Sequence, residues 1–404
     1  MNPIKPFFSF KTTLCGLALA SAALVGCQST VEHPMFEPSG STHITNYQSF
    51  SDYVEQTEQQ LAEHRVFLTD NHQQEIKANL PFEVKPKAAS SDEQGQPSKG
   101  ILLIHGLGDS PWSFVDVSQS LADRGFLVRT VLLNGHGTRP ADMINADHED
   151  WQALVDKQVQ LLEQEVDEVY LGGFSTGGNL AYLHAADNQD IAGLMLFSPG
   201  FQSNEPMAFM TPLLSTVKTW LRPNSASGVT NYARYSAMPT NGFAQYYHTS
   251  KATMEDLEQR QFDRPTFMVL TEHDSVLDTR LIREVFQNRF THPDNKLMWF
   301  GTSPEPAEDK VVFVNSRVPE LRVSNMSHMG VLYAPDNPYY GINGSEIICR
   351  NGQESEAAED HCRAGGEVWF SAWDHREADK VHARLTFNPR YDQMITTLSD
   401  VFQL

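Results

Sequence analysis

The chain has 404 residues, of which 40% are hydrophobic and 20% are charged, and its formal net charge at pH 7 is −21. This length is sufficient for one large buried core or two smaller ones. So strong an acidic excess argues against nucleic acid as a partner and against electrostatic docking on anionic lipid. The composition is typical of a solvated globular protein.

An export signal is predicted at the start of the chain. Lys5 and Lys11 precede an apolar run from Leu14 to Val25. This run is too short to span a bilayer as a mature helix and has the length of a signal peptide. It leads into Cys27, and the letters "LVGC" resemble the bacterial lipobox. The alternative interpretation is a buried helix that ends in a cysteine by chance.

The lipobox resemblance implies a lipoprotein. Residues 1–26 would be removed as the signal peptide, and Cys27 would be acylated at the start of a flexible lipidated tether, residues 27–45. Gln28, rather than an aspartate, follows the cysteine, which implies sorting to the outer membrane. Two anchoring signals already suffice for stable attachment, so a triacylated cysteine would hold firmly. We therefore expect a cell-envelope protein that is held on the membrane by its lipid.

Residues 46–404 alternate apolar runs with amphipathic segments, and we predict a single α/β domain there. In chain order, strands are predicted at 101–106, 126–133, 169–172 and 192–199, within 264–274, and within 320–329 ahead of His328. Helices are predicted within 50–79 and at 112–125, 151–166, 179–187, 279–290 and 390–404. This order predicts a mostly parallel central sheet with helices on both faces.

Two segments do not follow the alternation. Residues 201–260 are rich in Met, Phe and Tyr, and we predict a cap whose apolar side chains line a substrate pocket. The side chains predicted to do so include those of Met207, Phe209, Met210, Leu213 and Leu214. Residues 333–380 are rich in Gly, Asp and Glu, and we predict a late insertion.

The late insertion contains Cys349 and Cys362. Because Cys15 lies in the predicted signal and Cys27 is assigned to lipidation, these two cysteines remain as a pair. In an oxidising compartment a disulfide is the first expectation, and it would pin the insertion. A zinc site would need more ligands than His361 adds, and we predict no metal and no cofactor.

Ser175 is the candidate nucleophile. It lies in "VYLGGFSTGGNL", residues 169–180, where a β-prone run is followed by G-x-S-x-G and then by a helical run. Strand, tight turn and helix in this order are typical of a nucleophile elbow. Such a turn exposes the hydroxyl at a helix N-terminus, where free N–H groups stabilise an anion. The alternative is a glycine-rich turn with a purely structural role.

A serine nucleophile needs a base, and the base needs an orienting carboxylate. Asp274 is our choice for the acid because it follows a predicted strand, with Glu272 as the alternative and Asp278 as a helix cap. His328 is our choice for the base because it directly follows the last predicted strand. Other late histidines are predicted to be surface or structural residues: His361, His375 and His382.

The oxyanion that forms during acyl transfer needs hydrogen-bond donors. The backbone N–H of Leu107, in the loop after a strand, and that of Thr176, just after the serine, are the candidates. His105 and His136 are predicted to brace loops rather than to take part in the chemistry.

Together these motifs resemble the α/β-hydrolase superfamily, and within it bacterial carboxylesterases and monoacylglycerol-lipase-like serine hydrolases. The segments that carry the resemblance are "LLIHGLGDSPWSF", "LLNGHGTRPADM", "EVYLGGFSTGGNLAYLHA", "LTEHDSVLD" and "NMSHMGV". It covers about residues 98–332 and the final helix, and it implies an α/β-hydrolase fold. The order Ser175, Asp274, His328 along the chain is the order expected in that fold.

The expected activity is hydrolysis of carboxylic esters through an acyl-enzyme, on short- to medium-chain or lipid-derived substrates. The same three residues could serve a serine aminopeptidase or a lipid acyltransferase, and a catalytically silent binding lipoprotein is a further alternative. The expected partners are a small-molecule or lipid ester and the membrane that holds the lipid anchor. The sequence does not predict an oligomeric state.

Overall fold

The computed structural model describes residues 33–87, 97–222, 225–226, 228–303, 309–352 and 355–404. The predicted signal peptide and Cys27 lie outside the described residues. An eight-stranded sheet forms the centre of the domain. Its strands are β1 (Glu83–Val84), β2 (Lys99–Ile104), β3 (Phe126–Val131), β4 (Glu168–Phe174), β5 (Ile191–Phe197), β6 (Thr266–Thr271), β7 (Lys296–Gly301) and β8 (Val311–Asn315).

The spatial order of the sheet is β1-β3-β2-β4-β5-β6-β7-β8. β1 pairs antiparallel with β3, and every other neighbouring pair is parallel. Parallel strands are buried on both faces, which explains why their sequences are continuous apolar runs. In β2, for example, Ile101 and Leu103 pack into the core on one face while Leu102 and Ile104 pack into the core on the other.

Helices cover both faces of the sheet, as the alternation predicts. Leu121 and Leu398 belong to one core, and Trp151, Leu180 and Ile282 belong to the other. The helices are α1 (Phe50–His64), α2 (His72–Asn79), α3 (Val115–Ala122), α4 (His148–Leu162), α5 (Thr176–Asp187), α6 (Thr211–Ser215), α7 (Thr240–Gln259), α8 (Thr279–Arg289), α9 (Glu356–Arg363) and α10 (Tyr391–Phe402). None of these described helices is long and apolar enough to cross a membrane.

The last strands of the sheet differ from the sequence prediction. The strand predicted at 320–329 is absent, and β7 and β8 close the sheet instead. Pro319 begins a short 3₁₀ turn, and Arg322 has a left-handed φ of 54°, so the chain cannot stay extended there. Val323 alone makes isolated bridges, to Val318 and Phe370. The predicted base, His328, therefore lies in a loop well beyond the last strand of the sheet.

Residues 33–45 also differ from the prediction, which assigned them to a flexible tether. Met35 is buried, and Asp142 accepts hydrogen bonds from the backbone N–H and the hydroxyl of Ser39, at 2.6 and 2.8 Å. The Phe36 ring packs edge to face on Trp220, with ring centroids 5.5 Å apart. This N-terminal arm is therefore packed against the domain because it has its own apolar and polar contacts.

The predicted cap segment, residues 201–260, contains α6 and α7. Buried Tyr246 of α7 packs beside Gly200, whose N–H donates to the carbonyl of Ser175 at 2.8 Å. Phe209 and Leu213, by contrast, are exposed, although α6 packs on α7. The prediction that these two side chains line a closed pocket is therefore wrong for this structure.

The late insertion contains α9 and β9 (Trp369–Ser371), and β9 pairs in parallel with β10 (His382–Arg384), which directly follows the insertion. The predicted disulfide between Cys349 and Cys362 is present, with a Cα–Cα distance of 5.6 Å. Both cysteines are buried in the core that also contains Leu398. The disulfide closes a loop within the insertion, and the burial of its two cysteines packs that loop on the core of the domain. The domain boundaries themselves stay predictions.

Candidate active site

Ser175 occupies a strained turn between β4 and α5. Its φ is 52° and its ψ is −118°, a combination that an L-residue adopts only when the surrounding structure enforces it. The strand ends at Phe174 and the helix begins at Thr176, so the serine stands at the N-terminus of α5. This backbone has the geometry of a nucleophile elbow.

The glycines around Ser175 are required by close backbone approaches. A Cβ atom on Gly177 would overlap the carbonyl oxygen of Ile104 in the neighbouring strand, and a Cβ on Gly173 would overlap the carbonyl of Gly177. Any larger residue at either position would push the helix away from the sheet. The G-x-S-x-G spacing thus follows from packing as well as from chemistry.

Asp274 lies in the loop that follows β6. Its Oδ1 accepts the backbone N–H groups of Val276 and Leu277, at 2.8 and 3.0 Å. Its Oδ2 is 2.6 Å from Nδ1 of His328, and the carboxylate side chain is fully buried. The two amide donors fix the carboxylate, which in turn fixes the orientation of the imidazole ring.

The two other acidic residues of this loop have different partners. Oε2 of Glu272 accepts the backbone N–H of Thr302 at 2.7 Å, so Glu272 holds the loop after β7. Asp278 is the N-cap of α8 and accepts the N–H of Leu281 at 3.1 Å, which confirms its predicted role as a helix cap. Among the three acids, Asp274 is the one bonded to His328.

The loop that carries His328 is held on two sides. The carbonyl of His328 accepts the hydroxyl of Ser198, at the end of β5, at 3.2 Å. The neighbouring Ser327 hydroxyl donates to the carbonyl of Leu385, beyond β10, at 2.5 Å. The segment that follows β10 and the C-terminal end of β5 therefore hold the loop of the histidine, which explains how His328 reaches the site without a strand before it.

Ser175 and His328 are neighbours in the fold. The His328 ring centroid is 5.0 Å from that of Phe174, the residue before the serine. Within the described part of the chain, no hydrogen bond joins Oγ of Ser175 to the His328 ring. Catalytic hydrogen bonds of this type are often long before substrate binds and shorten in the Michaelis complex.

Two backbone N–H groups beside Ser175 are available as anion donors. Thr176 is the first residue of α5, where the amide has no acceptor within the helix. Leu107 lies in the loop after β2, residues 105–109, which we call the β2 loop. Over the described ranges neither of these two amides has a hydrogen-bond acceptor in the protein. Both can therefore donate to a bound oxygen atom.

Two buried histidines brace the β2 loop. Nε2 of His136 accepts the N–H of Gly108 at 2.9 Å, and its Nδ1 donates to the carbonyl of Leu133 at 3.1 Å. His105 lies at 4.8 Å from His136, between ring centroids, and its Nδ1 donates to the carbonyl of Gly106 at 2.8 Å. Burial lowers the pKa of His136 to about 4, and it holds the pKa of His105 well below the usual value of a histidine. Both rings are neutral loop braces at neutral pH.

Sequence reasoning missed one ion pair of the β2 loop. Asp109 is buried, and its Oδ1 is 3.5 Å from Nε of Arg234 in the cap segment. Burial raises the pKa of Asp109, while Arg234 and His328 act in the opposite direction. Next to this pair, the N–H of Tyr235 donates to the carbonyl of Gly108 at 2.6 Å. The cap segment thus holds the β2 loop through contacts between residues far apart in the sequence, which no local sequence pattern predicts.

A histidine and glutamate cluster lies at the C-terminal end of the late insertion and just beyond it. His375, Glu377 and His382 offer ligand atoms within 4.8 Å of one another, which is compatible with a metal ion. The carboxylate of Glu377, however, already forms ion pairs with Arg317 at 3.0 Å and with Lys380 at 2.5 Å. Two cations on one carboxylate disfavour a third. The cluster is best described as a salt-bridge network, and His361 lies apart from it, bonded to the carbonyl of Glu367.

Comparisons with known proteins agree with this fold. Residues 95–301, about half of the chain, match the family described as serine aminopeptidase, S33. The chain is 33% identical over 96 residues to the thermostable monoacylglycerol lipase of Bacillus sp. (strain H-257), which covers 24% of this chain and 38% of the lipase. It is 21% identical over 223 residues to the carboxylesterase of Bacillus subtilis (strain 168), which covers 51% of this chain and 83% of the esterase.

A solved structure from a study of two metagenome-derived lipolytic enzymes, LipS and LipT, has 22% identity and a TM-score of 0.47. It covers 55% of this chain and 87% of that chain. The match to the monoacylglycerol lipase spans well under half of that enzyme. The family match includes Ser175 and Asp274 but ends before His328.

A mostly parallel sheet, helices on both faces and a serine on the turn after a central strand define an α/β-hydrolase, as the sequence predicts. The chain belongs to the serine aminopeptidase S33 family of hydrolases. The relatives named above include a lipase and an esterase, whereas the family is described as serine aminopeptidase.

Buried, neutral His136 makes stability depend on pH. Its folded-state pKa of about 4 lies below the unfolded value of about 6.5, so below pH 6.5 the unfolded chain binds a proton that the folded chain does not. Stability therefore falls as the pH drops from 6.5 towards 4, by up to about 3 kcal/mol from this group. His136→Gln, which keeps an acceptor for Gly108, should flatten the decline in urea denaturation between these pH values. The exposed control His361→Gln should keep the wild-type slope; an unchanged slope in both variants would contradict the assignment.

Proposed function

We propose that the protein is a serine ester hydrolase that uses Ser175, His328 and Asp274 as a catalytic triad. The observation that carries this proposal is the hydrogen bond of 2.6 Å between His328 and buried Asp274, beside a serine held in a strained turn. A carboxylate on Nδ1 leaves Nε2 of the ring as the base, which is the arrangement that activates a serine hydroxyl.

In the proposed reaction, Oγ of Ser175 attacks the ester carbonyl and Nε2 of His328 takes the hydroxyl proton. Asp274 holds the ring and stabilises the imidazolium that forms. The N–H groups of Leu107 and Thr176 donate to the oxyanion, and each such donor contributes roughly 10²–10³-fold in rate. His328 then protonates the departing alkoxide, and water, activated by the same ring, hydrolyses the acyl-enzyme to release the acid and free Ser175.

The substrates we propose are short- to medium-chain esters or esters derived from lipids. The supporting observations are the similarity to a lipase and to a carboxylesterase and the many apolar residues of the cap segment. Peptide hydrolysis is the second candidate, because the matching family is described as serine aminopeptidase. Acyl transfer to another lipid would use the same acyl-enzyme, with an alcohol in the place of water.

Turnover of p-nitrophenyl butyrate and of aminoacyl-p-nitroanilides, measured side by side, separates the two candidates. We expect ester hydrolysis at a rate at least about 10²-fold above amide hydrolysis, since an ester has the better leaving group and the site has an oxyanion hole for it. Ser175→Ala should abolish labelling by a fluorophosphonate probe and lower kcat by at least about 10⁴-fold. Labelling that persists in Ser175→Ala would disprove the nucleophile, and a preference for the nitroanilides would make the protein a peptidase.

We also propose that the protein is anchored in the cell envelope, in the outer membrane, by lipid on Cys27. The support for this is the lipobox-like sequence and Gln28 after the cysteine. Cys27→Ser should abolish incorporation of labelled palmitate, whereas Cys15→Ser, inside the predicted signal, should keep it. Unchanged incorporation in Cys27→Ser would overturn the proposed lipid anchor.

A further inference from the structure

The cap segment, residues 201–260, exposes a group of large apolar side chains. Six of the nine large hydrophobic residues that are exposed in the described chain lie there. We call them the cap surface: Met207 (51% exposed), Phe209 (59%), Leu213 (68%), Val217 (77%), Leu221 (36%) and Phe243 (39%). Soluble monomers rarely expose apolar groups in such a concentration, and patches of this kind mark interaction sites.

The fold presents these side chains outward. Helix α6 packs on α7, and Thr211 is the buried residue of α6. Met207, Phe209, Leu213 and Val217, in α6 and in the turns on either side of it, are exposed, whereas Met210 and Leu214 are half-buried. The exposed surface is therefore a stable feature of the folded cap, built on a helix that is itself packed against the domain.

The charge of the cap segment is opposite to that of the chain. The protein has 51 Asp and Glu residues, yet residues 206–254 contain none, while Lys218 and Arg222 flank the exposed apolar residues. Lysine and arginine at the edge of an apolar surface favour the headgroup region of a bilayer, where their charged ends reach phosphate. The acidic excess of the whole chain still disfavours electrostatic docking on anionic lipid, so apolar contact would have to supply the attraction. This acid-free segment is the part of the chain that an anionic bilayer would not repel.

The N-terminal arm leaves the domain beside the cap. The Phe36 ring packs on Trp220, which lies between Val217 and Leu221 of the cap surface. Residues 27–32 separate the proposed lipid anchor on Cys27 from the first described residue, and six extended residues reach at most about 20 Å. An anchor with so short a connection to the domain would keep the cap segment close to the bilayer that holds the lipid.

We propose that the cap surface docks on the lipid bilayer in which the N-terminal anchor is inserted. Bilayer lipid is the occupant that matches all three features: exposed apolar side chains, basic flanks in an acidic chain, and a short connection to a lipidated cysteine. This proposal rests on the proposed lipid anchor, and it extends the proposed function because it lets an ester pass from the membrane to Ser175 beneath the cap.

Lipid contact is tested on the full-length, lipidated protein in vesicles of phosphatidylethanolamine and phosphatidylglycerol. A fluorophore on the introduced thiol of Leu213→Cys should lose at least about half of its emission when brominated lipid is included, since bromine quenches only at contact with the acyl region. The same fluorophore on Thr396→Cys, at an exposed position of α10, should keep its emission. Equal emission at the two positions in brominated vesicles would overturn the proposal. A change in emission at position 213 that depends on protein concentration and not on brominated lipid would also overturn it, and would indicate that the cap surface contacts a second copy of the protein.

The consequence for turnover is tested with Leu213→Ser/Val217→Ser, which makes the cap surface polar, and with Ile347→Ser, which removes an exposed apolar side chain in the late insertion. The ratio of monoacylglycerol hydrolysis in vesicles to p-nitrophenyl butyrate hydrolysis in water should fall about tenfold in the double variant. It should not change in Ile347→Ser. An unchanged ratio in the double variant would contradict docking of the cap surface on the bilayer. If the wild-type protein hydrolyses neither ester but the fluorophore at position 213 is still quenched, the proposed function is contradicted and the docking is not.

Discussion

The turn at Ser175 depends on a close approach between two pieces of backbone. Helix α5 begins so near to β2 that a single Cβ atom on Gly177 would overlap the carbonyl oxygen of Ile104. This approach keeps Ser175 in its strained conformation and points the amide of Thr176 at the same space as the hydroxyl. Any relaxation of the approach would separate the nucleophile from the donors that its chemistry needs.

The rest of the site is assembled around this turn by long-range contacts. β6 brings Asp274 to the same edge of the sheet, because the C-terminal ends of parallel strands lie together. The β2 loop is held by His136, which follows β3, and by Arg234 and Tyr235 of the cap segment. The cap is therefore part of the support of the proposed oxyanion donors as well as a cover. A cap that also rests on a bilayer would link membrane contact to the geometry of the site.

Local patterns in the sequence predicted most of the strands of the central sheet, because buried parallel strands consist of continuous apolar residues. They also predicted the disulfide and the roles of Asp278 and of His136, whose signals are local. They failed where a local signal competes with distant contacts. Val323 lies in a β-prone run, yet Pro319 and Arg322 bend the chain, and Phe209 is apolar yet faces solvent. The Asp109–Arg234 pair and the packing of Phe36 on Trp220 join segments that no spacing rule connects.

In the proposed triad Asp274, and not its neighbour Glu272, orients His328 for attack by Ser175. The most direct test compares kcat for p-nitrophenyl butyrate in Asp274→Asn and Glu272→Gln, two variants that remove one negative charge from the same loop. Asp274→Asn should lower kcat by about 10³–10⁴-fold, because an amide cannot stabilise the imidazolium. Glu272→Gln, which keeps an oxygen for Thr302, should stay within about threefold of wild type. Equal losses, or a larger loss in Glu272→Gln, would contradict the proposed triad.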